Sequence, residues 1–155
     1  MEEFYNKYVT GYSASPESTI NFYNENLSVF NNISHFENEH EFKLFLEVYY
    51  KCILAYTNKK QYRNLLSALK ILPVIEKAVD EFNIDRTSFN LYKSLLMQKA
   101  IALYYLRDCS ASKGLFKTLR VYEPENDNLK VKPLVGPSLS LRDKEGKTTK
   151  LLNLT

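Results

Sequence analysis

The chain is 155 residues long, 45% hydrophobic and 25% charged, which is the size and composition of one folded domain and excludes wholesale disorder. Its formal charge of +3 is unevenly spread: residues 1–42 hold seven Glu and one Lys, giving −6, while residues 43–155 hold 20 basic and 11 acidic groups, giving +9. No charged-then-apolar leader opens the chain and no apolar run reaches the ~18 residues of a membrane span, so neither a signal peptide nor a transmembrane segment is expected.

With 12 Tyr, 9 Phe and no Trp, aromatic rings must carry much of the core. Tyr5, Tyr8, Val9 and Tyr12 recur at helical spacing over residues 2–12 and predict a short first helix ending at Gly11. Ser15-Pro16-Glu17 is a strong start signal: a capping hydroxyl, a proline in the first turn, then an acid. From there Ile20, Tyr23, Leu27, Phe30 and Ile33 form the expected apolar stripe of a second helix running to residue 33. Its Asn-rich opposite face makes it depend on packing more than on propensity.

Residues 34–40 read as a polar link, and the next helix opens near Glu39. It carries Phe42, Phe45, Tyr49, Cys52 and Tyr56 at spacings of 3, 4, 3 and 4, and Leu46, Tyr50, Ile53 and Leu54 widen the stripe past half the circumference. A helix so broadly apolar is expected at the centre, contacted on two sides. Asn58-Lys59-Lys60-Gln61 is the turn. A long helix follows with Leu65, Leu69, Leu72, Ile75, Val79 and Phe82, and Pro73 in its middle predicts a kink. Asn83 and Asp85 end that helix and start the next.

Phe89, Tyr92, Leu96, Ala100 and Leu103 mark one face of the following helix. After a polar break at Arg107-Asp108, with Ser110 as the expected N-cap, Leu115, Phe116, Leu119 and Tyr122 mark a shorter one, stopped by Pro124. Two amphipathic helices joined by so short a turn must lie antiparallel to bury their stripes. Counted this way, the chain gives three helical hairpins, 2–33, 39–83 and 86–123.

The stretch from Tyr92 to Asn126 resembles a tetratricopeptide (TPR) repeat, a unit of about 34 residues with a helix, a turn, a second helix and a closing proline. On that resemblance Ala100 and Ser112 take the small positions where the two helices come close, Leu103 and Tyr104 the bulky positions that follow, and Phe116 the large aromatic position. Arg107 stands where the family has its turn glycine, Cys109 where it has a tyrosine, and Gly114 lies inside the second helix. The turns near Tyr62 and Cys109 are 47 residues apart, longer than the TPR period. "TPR-like" is therefore the description the sequence supports. The expected fold is all-α: stacked antiparallel helical hairpins, about six helices over residues 1–128, followed by a tail.

Residues 129–155 contain Pro133, Gly136 and Pro137, which forbid a continuous helix. Alternation around Leu139 and Leu141, with Gly146 in a turn, reads as an extended segment or β-hairpin. The segment from Val135 to Lys147 resembles the opening strands of TlpA-type thioredoxin domains. That resemblance implies an accessory helical domain of a thiol–disulfide oxidoreductase, although no Cys-x-x-Cys follows.

Catalytic signals are weak. His35, Glu39 and His40 fit no zinc spacing, there is no glycine-rich phosphate loop, and Lys51 beside Cys52 does not face it. The expectation is a chain that is not an enzyme and that uses no cofactor or metal. Cys52 and Cys109 read as free, buried thiols suited to a reducing, cytoplasmic compartment.

Two binding readings remain. Basic groups at Lys59, Lys60 and Arg63, the i, i+4, i+7 stripe of Lys113, Lys117 and Arg120, and six more in the tail would serve a nucleic acid, but residues 1–42 would repel phosphate. Stacked hairpins instead leave a concave wall that receives peptides. The doublets Tyr49-Tyr50 and Tyr104-Tyr105 turn one ring inward and the other about 100° around the helix. Tyr50, Lys99, Tyr105 and Arg107 are thus the expected partner-binding residues, forming a basic, aromatic groove for an acidic peptide. The unlike ends also allow self-association.

Overall fold

A computed structural model describes residues 1–122, and every regular element among them is helical. The chain divides into two compact units, one of Met1–Gln98 and one starting at Lys99. The expected tail at 129–155, and with it the thioredoxin-like segment 135–147, lies outside the described residues.

The first unit begins with α1 (Glu2–Gly11) and α2 (Pro16–Glu25). Ser15 caps α2 reciprocally: its side chain accepts from the Ser18 amide at 3.1 Å while the Ser18 hydroxyl accepts from the Ser15 amide at 3.2 Å. This satisfies two amides at the point where a helix start leaves several unpaired. The helix expected to run to residue 33 breaks at Asn26. The Asn26 side chain donates to the Phe22 carbonyl at 2.8 Å, ending α2, and the short α3 (Leu27–Asn32) starts afresh.

Helix α4 (Glu39–Asn58) is capped by Asn38, which accepts from the Glu41 amide at 2.9 Å. Nine of its side chains are buried, from Phe42 to Tyr56, and it is flanked by α1 and α2 on one side and by α5 (Tyr62–Ala68) on another. This is the two-sided contact its broad stripe requires. Phe4, Phe22, Phe30, Phe36, Phe45 and Tyr49 form a continuous ring cluster, with centroid separations from 5.2 Å (Phe4 to Phe22) to 6.4 Å (Phe4 to Phe45). Tilted and edge-on rings at such distances add to the burial of their area.

The helix expected to kink at Pro73 is interrupted instead. A 3₁₀ turn, Leu69–Ile71, separates α5 from α6 (Leu72–Glu81), and Pro73 lies in the first turn of α6. A proline has no amide to donate to the carbonyl four residues back, so it is accommodated where a helix start leaves amides unpaired anyway. Among the described residues these two breaks turn the expected six helices into eight. Beneath the second break the Tyr49 hydroxyl donates a buried 2.6 Å bond to the Ala68 carbonyl, tying α4 to the end of α5.

Helix α7 (Asn90–Tyr105) begins in the first unit. There the Phe89 ring stands 6.1 Å from Phe42, the Tyr92 hydroxyl donates to Glu76 at 2.9 Å, and the Thr57 hydroxyl donates to Gln98 Oε1 at 2.7 Å. In the second unit α8 (Cys109–Tyr122) folds back on the last turns of α7: the Ser112 hydroxyl donates to the Ala100 carbonyl at 2.8 Å, with both residues buried.

Candidate functional site

Three described residues other than glycine have a positive φ: Lys60 (57°), Asn83 (53°) and Arg107 (73°). Each ends a helix in the same way. The Lys60 amide donates to Thr57 and the Gln61 amide to Tyr56; Asn83 donates to Asp80 and Ile84 to Val79; Arg107 donates to Tyr104 and Asp108 to Leu103. This is the Schellman arrangement, in which the left-handed residue is usually glycine or asparagine because a side chain there is strained. Asn83 fits that preference. Lys60 and Arg107 do not, and each puts a long cation on a helix-ending turn.

Lys60 and Arg107 are also 47 positions apart, and the positions leading to them correspond. At the same offset, Phe42 pairs with Phe89, Phe45 with Tyr92, Tyr49 with Leu96, Ile53 with Ala100 and Tyr56 with Leu103. Past the turn, Leu65 pairs with Ser112 and Leu72 with Leu119. All fourteen side chains are buried.

The turn after α7 is hydrogen-bonded on both sides. Asp108 closes it on the far side, its carboxylate accepting from the Ala111 amide at 3.2 Å and its carbonyl from the Ser112 amide at 3.0 Å. The N-cap of α8 is therefore Asp108, not Ser110; an aspartate immediately before the first helical residue outcompetes a serine one position inside it. Arg107 is exposed, and the Tyr105 ring two residues before it is 48% exposed, packed edge-on against Tyr104 at 5.2 Å.

The other expected contact residues are placed differently. Lys99 is half-buried on α7, six residues before Tyr105, which puts the two roughly 120° apart around the helix. Tyr50 is half-buried on α4 in the first unit, while its neighbour Tyr49 is fully buried. So Tyr105 and Arg107 share one end of α7, Lys99 lies on a different side of that helix, and Tyr50 belongs to another unit.

Around α8 only Ser112 and Leu119 are buried. Lys113 and Lys117 are exposed, Arg120 is half-buried, and Val121 is 75% exposed. Val121 follows Lys117 by four residues, so it stands beside that lysine on the outward face. Sequence periodicity identified the basic stripe but not the exposed valine within it.

The remaining polar candidates are occupied structurally. His40 Nε2 meets the Glu2 carboxylate at 3.3 Å and His35 Nδ1 meets the Ser34 hydroxyl at 3.4 Å. Among the described residues no three His, Cys, Asp or Glu side chains converge as metal ligands. Cys52 is buried and Cys109 half-buried, both as free thiols, and burial pushes the Cys52 thiol well up from its ordinary range. A thiol so placed is a poor nucleophile. No helix among the described residues is long and apolar enough to cross a membrane.

Compared with protein-family models, with curated proteins and with solved structures, the chain matches none.

Proposed function

We propose that this protein is a non-catalytic protein–protein interaction or assembly module. It is read as a stack of antiparallel, TPR-like helical hairpins that takes an acidic peptide through Tyr105 and Arg107, with Lys99 adding a second cation on the same helix; Tyr50, in the other unit, is left out of this contact. Its compartment is reducing and cytoplasmic, matching the free thiols of Cys52 and Cys109.

The observation that carries this reading is Arg107 at φ 73°. A left-handed conformation costs an ordinary residue roughly 1–2 kcal/mol, and a glycine would adopt it without that penalty. An exposed arginine kept there, two residues from a half-exposed tyrosine, trades stability for a displayed cation and ring. Arginine and tyrosine are the side chains that anchor interfaces, and arginine grips carboxylates in a forked geometry. The matched burial of the positions around Lys60 and Arg107 supports reading the two hairpins that turn there as like units.

The test is binding of fluorescein-labelled peptides rich in Asp and Glu, with Lys-rich peptides as controls, followed by anisotropy. The wild-type protein is expected to bind acidic peptides only, and Lys99→Glu with Arg107→Glu is expected to weaken binding at least about tenfold, which is roughly 1.4 kcal/mol. Equal affinity in the double variant would refute the reading.

A further inference from the structure

We infer that the outward face of α8 is a docking surface for a second copy of this chain, and that what it receives is the acidic end of that copy's first unit. The inference stands on different residues from the peptide reading above and does not depend on it.

The face is defined by two features of α8. Its inward side is fixed by Ser112 and Leu119, the two buried residues of the helix. Its outward side carries Lys113, Lys117 and Arg120, with Val121 exposed beside Lys117. Along α8, Lys113, Lys117 and Arg120 stand with no acidic residue on the helix, and Asp108, immediately before it, has its side chain engaged as the helix cap. Cations around an exposed aliphatic side chain offer both steering and a small apolar contact.

The complementary surface lies at one end of the first unit. Glu2 meets His40 at 3.3 Å and the Met1 ammonium meets Glu41 at 3.8 Å, so the starts of α1 and α4 lie side by side. This gathers Glu2, Glu3, Glu37, Glu39 and Glu41, the first four of them exposed. Of the nearby lysines, Lys43 is paired with Glu39 at 2.8 Å and Lys7 stands over the Phe22 ring at 5.9 Å. The end therefore keeps a negative excess. The two surfaces are unlike, so a single contact between the basic face of one copy and the acidic end of another leaves one surface free on each, unless a two-fold pairing uses both contacts at once. Where the free surfaces join head to tail, growth continues unless the rotation closes a ring.

Analytical ultracentrifugation of the full chain tests this. The weight-average mass is expected to rise with protein concentration, and to fall back to the monomer between about 0.1 M and about 1 M salt, where the Debye length shrinks from about 10 to about 3 Å. Lys113→Glu with Lys117→Glu should be monomeric at all concentrations. Glu3→Lys with Glu37→Lys, which spares the capping and ion-pair contacts described here, should be monomeric as well. Mixing the two variants should restore association, because each supplies the intact surface that the other lacks. Circular dichroism of each variant alone checks that it is folded. A wild-type chain that stays monomeric at low salt would overturn the inference, as would a basic-face variant that associates normally or a mixture that does not. Loss of binding to polyuridine or duplex RNA in the Lys113→Glu, Lys117→Glu variant, with no self-association of the wild type, would assign the face to nucleic acid and overturn it equally.

Discussion

The Ser112 hydroxyl reaches across from α8 to the Ala100 carbonyl at 2.8 Å, and neither residue is more than 2% exposed. Two small side chains at this crossing let the helices approach closely, and the hydroxyl bonds the backbone of the neighbouring helix. Ser112→Ala is expected to cost about 1 kcal/mol, the usual net worth of such a bond. Ser112→Leu should cost more, about 1–3 kcal/mol, because the crossing has no room for the added carbons. Urea unfolding curves of the three proteins check the order; a stabilised leucine variant would mean the helices are not in close contact there.

Gly114 offers the opposite test. It lies inside α8, is exposed, and a Cβ built on it meets nothing within 4 Å. Gly114→Ala should stabilise the protein by about 0.5–1 kcal/mol, since alanine loses less backbone entropy in a helix. A fall in thermal midpoint would show that the helix is not formed at that position.

Tyr49 joins the aromatic cluster to the end of α5 through its 2.6 Å bond to the Ala68 carbonyl. Tyr49→Phe keeps the ring and removes the bond, for an expected loss of about 1–2 kcal/mol. Phe22→Ala removes a fully buried ring from the same cluster and should cost about 3–5 kcal/mol. If chemical denaturation finds the two equal, the ring packing is not what holds α1 and α2 to α4.

Buried acids set an alkaline limit. Burial raises the Cys52 thiol above its ordinary 9.0 and the Tyr49 phenol well above its ordinary 10.0; burial likewise carries Tyr23 up to about 12. The unfolded chain therefore releases these protons first. Their contribution to stability is complete below pH 9.0 and is lost as pH rises through 10.0 towards the raised folded values. Thermal midpoints should fall progressively above about pH 9. In Cys52→Ala the onset should move to the tyrosine range near 10.0. A midpoint unchanged into that range would contradict the burial of these groups.

Most helices were legible in the sequence because their stripes are regular. The α4 stripe gave both its extent and its central position, and Ser15-Pro16 marked the start of α2. Phe22 was not legible: it falls outside the Ile20, Tyr23, Leu27 stripe, yet it is fully buried while Leu27 is 39% exposed. The reason is Asn26, whose side chain ends α2 and resets the register, so no single stripe spans 16–33. Pro73 announced a disturbance but not that it would take the form of a 3₁₀ turn upstream. At the candidate site, the absence of a turn glycine at Arg107 was visible in the sequence; that the chain bends there regardless, with φ at 73°, was not. Nor could composition separate Tyr105 from Lys99, which the helix turns to different sides.

The most direct measurement compares the wild-type protein with Arg107→Gly, following thermal unfolding and acidic-peptide anisotropy in the same samples. The variant should be as stable as the wild type or more stable by up to about 1 kcal/mol, because glycine accepts the left-handed turn, while its peptide affinity drops at least about tenfold. Full peptide binding by Arg107→Gly would show that the strained arginine serves no partner and would contradict the account.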